Sequence, residues 1–268
     1  MTEGVHQRAR QVVRSWLESV SGRTVHGRSR HSDFGRKAYE LCKGKGLEIG
    51  ALHNPFDLDA EVVYLDQRKT AELRAHFKKH PRVRRISQIQ LVWKGDAYPF
   101  IDDNAFDFVV NSHVLEHVCN PGRVIQEWLR IVRPGGIVYM VVPDKNHCFD
   151  RRREITSLEH LIQDYEADTK LIELAHYRDY IFNTAGEAEV THEASEEFAQ
   201  KCFKGQTSVH AHTFTARSLD EFLRALAKRV PFELALCEQQ RSAPLHIHCA
   251  LRKVGQPGVQ APNRAFCF

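Results

Sequence analysis

Several short stretches of this chain run apolar and then close on side chains that accept hydrogen bonds. Leu47-Glu48-Ile49-Gly50 closes on a glycine and Val62-Val63-Tyr64-Leu65-Asp66 on an acid. Gly95-Asp96-Ala97 follows the weaker run Ile89–Val92, and Phe106–Val110 leads into Asn111-Ser112-His113. An ionised carboxylate only accepts, so Asp66 suits a pair of ribose hydroxyls and Asp96 an exocyclic adenine amine. Histidine is the second chemical theme, with 16 in the chain. An imidazole titrates near neutrality and can take a proton from a hydroxyl acceptor. His212 is the first candidate for that base and His117 the second, with His147 behind them and His246 and His248 read as strand decoration. His113, Glu116 and His117, at i, i+3 and i+4, would share a helix face and could hold a divalent ion. No fourth ligand is identifiable, so the expectation is that no metal sits there.

These residues must be positioned by something, and the pattern around them supplies it. Strand-like and helix-like runs alternate through residues 45–143, including a fully apolar Ile137–Val142, as in a doubly wound parallel sheet. In such a sheet ligands bind outside the carboxyl ends of the strands, where the strand order reverses. Asn120-Pro121 opens a helix that stops at Arg133-Pro134-Gly135-Gly136. After Pro143 the alternation lapses. Thr156 with Glu159 reads as a capping box, Leu171 to Phe182 as a helix, and 187–197 as a Glu-rich polar patch. Ser218 with Glu221 reads as a second box, and Phe232–Cys237 and His246–Leu251 as closing strands. The expected organisation is N-terminal helices over 1–44, one domain over 45–254 with a helical insertion at 144–210 covering the site, and a loose tail over 255–268. Residues 5–20 have helical spacing.

Composition narrows the class. The chain has 268 residues, 42% hydrophobic and 27% charged, with a net charge of +4. That is ordinary for a globular domain large enough to need no staple. Seven cysteines stand singly, which reads as reduced thiols in a cytoplasmic protein. The arginine-bearing start resembles no secretory signal, and no apolar run approaches a membrane span. Arg68, Lys69, Arg74, Lys78, Lys79, Arg82, Arg84 and Arg85 read as a solvated face, since aromatics are not regularly interleaved for base stacking. Arg151-Arg152-Arg153 reads either as a grip for an acceptor's carboxylate or phosphate, or as a plain solvent-facing linker.

Taken in order, these motifs resemble those of class I S-adenosylmethionine-dependent methyltransferases of the small-molecule kind called methyltransferase type 11. So do His113-Val114-Leu115-Glu116-His117-Val118 and Leu129-x-x-Val132-Arg133-Pro134-Gly135-Gly136. The resemblance implies a Rossmann-like, mostly parallel seven-stranded α/β sheet with an antiparallel C-terminal strand. It implies that Glu48, Gly50 and Ala51 line the methionine end of S-adenosylmethionine, Asp66 and Gln67 the ribose, and Asp96 and Ala97 the adenine. Asn111, Ser112 and His113 would form the floor under the sulfonium. One departure stands out: Gly50 is followed by Ala51-Leu52-His53-Asn54-Pro55 where the family continues with further glycines. Too few residues separate Gly50 from Val62 for a full helix, so a clipped first helix or a loop is expected, with Asn54-Pro55 able to open one turn. The implied activity is methyl transfer to a small-molecule acceptor, an oxygen on a sugar or secondary metabolite, with a homodimer compatible. An RNA methyltransferase and a non-catalytic cofactor-binding partner are the alternatives.

Overall fold

The computed structural model describes residues 31–184 and 192–255. The expected helix over 5–20 and the tail beyond 255 lie outside the described residues. Among those described, seven strands form one sheet: β1 (Gly44–Ile49), β2 (Ala60–Asp66), β3 (Leu91–Val92), β4 (Phe106–Ser112), β5 (Val132–Pro143), β6 (Phe232–Gln239) and β7 (His246–Lys253). Their order is β3-β2-β1-β4-β5-β7-β6. Neighbours from β3 to β5 run parallel, and β7 runs antiparallel to both β5 and β6. The chain leaves β1 toward β2 on one side and returns as β4 on the other, which makes the β1–β4 junction the switch point. β4 and β5 are apolar on both faces because both faces are covered: Phe108, Val109, Val110, Val138 and Val142 are fully buried.

One face is covered by helix α1 (Asp33–Leu41), whose Phe34 and Ala38, together with Phe56 from the β1–β2 connection, pack on Tyr139 and Ala250. The other carries α3 (Pro121–Ile131) and α7 (Ala216–Leu226), whose Val124, Trp128, Phe222 and Leu226 meet Leu47, Val109 and Met140. Helix α2 (Thr70–His76) flanks β2. No helix joins β1 to β2, as the short spacing requires. Instead both carboxylate oxygens of Glu48 accept from the Phe56 N–H, at 3.1 and 3.3 Å, and fold the loop back on the strand.

Local rules located most ends but not all. Ser157, not Thr156, caps α4 (Leu158–Ala167), because Thr156 is engaged elsewhere: its Oγ1 accepts from Thr213 N at 3.0 Å. Thr215 caps α7 in a reciprocal box with Ser218, while Glu221 turns to Arg217. The patch expected to be polar loop is helical from residue 192, as α6 (His192–Lys204), with 185–191 outside the described residues. Helix α6 packs on α5 (Leu174–Thr184) through Tyr177, Ile181, Ala199 and Cys202.

Asn120 ties the insertion to the sheet. Its Oδ1 accepts from Arg123 N at 3.1 Å and caps α3, with Pro121 in the first turn. Its Nδ2 donates to the Asp164 carbonyl at 2.6 Å at the end of α4. Asn120→Ala loses both and is expected to lower stability by about 1–3 kcal/mol. Asn120→Asp keeps the cap and should recover part of that loss. Equal urea midpoints for parent and alanine variant would show that the cap and tie contribute nothing.

Candidate active site

The strand register brings the sequence-derived residues to one edge. Ile49 pairs with Leu65 on one side and Asn111 on the other, so Gly50, Asp66 and Ser112 stand next to each other at the switch point. Gly50 takes φ +68°, a left-handed conformation natural to glycine, and its N–H donates to the Leu65 carbonyl at 2.9 Å. Ala51 is buried behind it, and Gln67 is exposed at the rim. Asp66 is 9% exposed, with one oxygen 3.3 Å from Arg68 N, and burial pushes its pKa up. Asp96 is exposed, yet the protein atoms around it desolvate the carboxylate enough to raise its pKa. The neighbouring Ala97 carbonyl accepts from Trp93 Nε1 at 2.8 Å. Asn111 is fully buried with neither amide atom hydrogen-bonded, and Ser112 Oγ is also buried without a partner.

This edge fits a nucleoside with an aminoacyl arm. Poorly solvated carboxylates gain most from incoming hydroxyl or amine donors, and an orphaned buried amide is a vacancy for a polar ligand. Glu48 also shapes the loop that borders the edge, its carboxylate accepting from Phe56 N.

Beyond β4 the geometry differs from expectation. His113 takes φ +58°, unusual for a non-glycine residue, and Leu115–His117 form a single 3-10 turn. The helix-face argument therefore fails, yet the side chains still converge. His113 Nδ1 lies 3.5 Å and His117 Nε2 3.9 Å from Glu116 Oε1. A residue that sequence reasoning passed over, His210, brings its Nε2 to 3.8 Å from the same oxygen. The available signal was the alternation His210-Ala211-His212, of which only His212 stood out by position. Glu116 is 1% exposed, and neither oxygen has a hydrogen-bond partner. Burial alone would raise its pKa, but the His113 contact and the charges of His117 and His210 outweigh it and hold it below the usual value.

The imidazoles are oriented from outside. His117 Nδ1–H donates to the Val209 carbonyl at 2.9 Å, leaving Nε2 toward Glu116, and burial lowers the His117 pKa. His210 Nδ1 lies 2.6 Å from Asp150 Oδ2, and Asp150 in turn accepts from Arg153 at 2.8 Å. Arg153 is 2% exposed and also donates to Asp179 and the His210 carbonyl. It is a strut inside the insertion, neither an acceptor grip nor a linker. Glu116, His117 and His210 offer ligand atoms within 4.8 Å of one another, a set a divalent ion could use.

His212 is placed elsewhere. It is 1% exposed, its Nε2 meets the Cys119 carbonyl at 3.2 Å, and its ring faces His160 and His176. Burial, with the nearby His176, lowers its pKa to about 3, far from what a base working at neutral pH needs. His147 lies with Arg151 and Arg152 in a recess of about 530 Å³. His248 is held between Tyr139 Oη and Gln240 Oε1 within the sheet.

Residues 40–140 match the family model described as "Methyltransferase domain". That stretch, about two fifths of the chain, is similar to a methyltransferase domain. S-adenosylmethionine is the cofactor of that family. An uncharacterized methyltransferase of Mycolicibacterium vanbaalenii is 46% identical over 46 residues, 17% of this chain and 18% of that one. An uncharacterized protein of Methanocaldococcus jannaschii is 31% identical over 119 residues, 42% of this chain and 52% of its own length. The chain thus spans about half or less of the curated relatives it matches. A Methanosarcina mazei structure described as a SAM-dependent methyltransferase superposes with TM-score 0.44 at 19% identity, covering 82% of this chain and 97% of that one. No helix among the described residues is long and apolar enough to cross a membrane.

The raised pKa of Asp66 links function to stability with a definite sign. Folding carries no penalty from this group below its ordinary pKa of 3.8, and the penalty is complete above the raised folded value. Asp66→Asn should therefore raise the ligand-free unfolding midpoint near neutral pH, with the gain vanishing in acid. The same change should weaken S-adenosylmethionine binding ~10- to 100-fold by removing a charged acceptor. Calorimetric titration and thermal unfolding check the two halves; undiminished affinity would remove Asp66 from the ribose site.

Proposed function

We propose that this protein transfers a methyl group from S-adenosylmethionine to a hydroxyl of a small acceptor, a sugar or secondary metabolite. The observation that carries this reading is His117, an imidazole with Nδ1–H anchored on Val209 O and Nε2 beside the buried Glu116 carboxylate. The bound cofactor would supply an electrophilic methyl on a sulfonium. Asp66, Gln67, Asp96 and Ala97 would hold the nucleoside, Gly50 and Ala51 the aminoacyl arm, and Asn111, Ser112 and His113 the floor. His117 Nε2 would take the acceptor's proton, and the charge of Glu116 would stabilise the imidazolium formed. The Glu116 carboxylate lies 3.9 Å from that nitrogen and is itself buried, so its charge is poorly screened on its own side of the pair.

Residues 45–254 would form one catalytic domain, with 144–210 as the cover over the acceptor. The packing of the insertion onto Asn120 and the Glu116 cluster supports that arrangement. We place the reaction in the cytoplasm, on the reading of the single cysteines as thiols. The methionine-side loop has no second glycine, which a ligand without phosphates tolerates.

If His117 is the base, His117→Ala lowers turnover on the active acceptor ~10²–10⁴-fold while S-adenosylmethionine affinity stays within a few-fold of the parent. An acceptor screen with radiolabelled cofactor followed by this variant tests both parts. Labelling of RNA with no labelling of small hydroxyl compounds would overturn the substrate class, and parental turnover in His117→Ala would overturn the base.

A further inference from the structure

A second group of imidazoles gathers where the insertion meets the core, and the proposed transfer makes no use of it. His160 and Asp164 stand one turn apart on α4, His176 lies on α5, and His212 comes from the segment returning to the sheet. His160 Nε2 lies 3.1 Å from His176 Nε2 and 3.1 Å from Asp164 Oδ2. One ring nitrogen from each of the three histidines falls within 4.8 Å of the other two.

Protons alone do not satisfy this arrangement. A neutral His160 carries at most one proton on Nε2. His176 Nε2 and Asp164 Oδ2 both stand 3.1 Å from that nitrogen, so one proton has to serve two acceptors. His212 donates Nε2–H outward to the Cys119 carbonyl, so Nδ1 keeps its lone pair, and that atom is buried without a partner on a residue only 1% exposed. His176 Nδ1 is orphaned as well. Two orphaned ring nitrogens, beside a carboxylate oxygen that must share its donor, depart from the usual pairing of buried polar groups.

We propose that His160, His176, His212 and Asp164 form a binding site for a borderline divalent ion, zinc foremost, that clamps the insertion onto the core. The three imidazoles converge, and the Asp164 carboxylate, 3.1 Å from His160, is the fourth donor proposed, a combination such ions accept. Ligands ~2.0–2.2 Å from a tetrahedral ion stand roughly 3.3 Å apart, close to the 3.1 Å contacts observed. The outer contacts have the expected form: Cys119 O orients His212, and Thr169 Oγ1 donates to Asp164 Oδ1 at 2.9 Å. His160, with 39% of its side chain exposed, gives the ion a route in from solvent. The site is distinct from the Glu116 group, since His210 serves that one and His212 this one.

The test uses the full chain stripped with a chelator and titrated with cobalt(II), then zinc. The site should take up one equivalent of cobalt with the intense visible bands of a tetrahedral ion, and zinc should displace it and raise the unfolding temperature. His176→Ala should weaken binding at least ~10- to 100-fold, in line with loss of a ligand or its support. Asp164→Asn, which preserves volume, should weaken it as well if the alanine variant folds poorly by circular dichroism. Glu116→Gln should leave the cobalt spectrum and affinity unchanged. The proposal is overturned if the stripped chain binds no equivalent of either ion, if His176→Ala and Asp164→Asn both keep parental affinity, or if Glu116→Gln abolishes the signal and so places the ion in the other group.

Discussion

A carboxylate at 1% exposure with no hydrogen-bond donor is the constraint on which the active-site side of this molecule depends. An ionised group buried in this way is tolerated only if opposite or polarisable partners surround it. Glu116 obtains them from both ends of the site: His113 and His117 from the turn after β4, and His210 from the returning segment. His210 can serve only because Asp150 holds its far nitrogen, and Asp150 is held by Arg153, which also spans to Asp179 on α5. The Glu116 carbonyl accepts from His212 N at 3.1 Å, which closes the loop of contacts through the backbone. One buried charge therefore couples the strand edge, the turn and the insertion.

The edge itself is built against its own stability. Asp66 and Asp96 are partly desolvated, Asn111 and Ser112 are buried without partners, and His113 occupies a left-handed conformation. Each of these is a local violation that the apolar interior of β4 and β5 offsets, and such violations cluster where a ligand is to be met. Glu48 marks the boundary between the two regimes. It lies on the same edge, and its hydrogen bonds to Phe56 N also fix the loop that borders it.

Much of this was legible in the sequence, and the rest was not for identifiable reasons. The strands were legible because a fully apolar run such as Ile137–Val142, in an alternating chain, suits a parallel strand covered on both faces and little else. Asn120-Pro121 announced α3 because cap chemistry and proline act on adjacent residues. Thr156 misled because Ser157 stands beside it and Thr213 engages Thr156, and Ser218 misled because Thr215, one turn earlier, is the cap and takes Ser218 as its partner. His113, Glu116 and His117 were found for the wrong reason, since helix spacing was assumed where the chain makes a 3-10 turn. His210 was passed over because its meaning comes from Asp150, sixty residues away, and from Glu116, farther still. His212 ranks first on position, but sequence carries no sign of the burial that drives its pKa to about 3.

The central claim is that the edge formed by β1, β2 and β4 is where the cofactor binds, with the Glu116 cluster at its reactive end. A crystal structure of the protein with S-adenosylhomocysteine tests it most directly. The account predicts ribose hydroxyls on the Asp66 carboxylate, the adenine amine toward Asp96, and the thioether sulfur over Asn111, Ser112 and His113, on the side facing His117. Ligand density elsewhere, or the sulfur turned away from His117 with Asp66 making no contact, would contradict it.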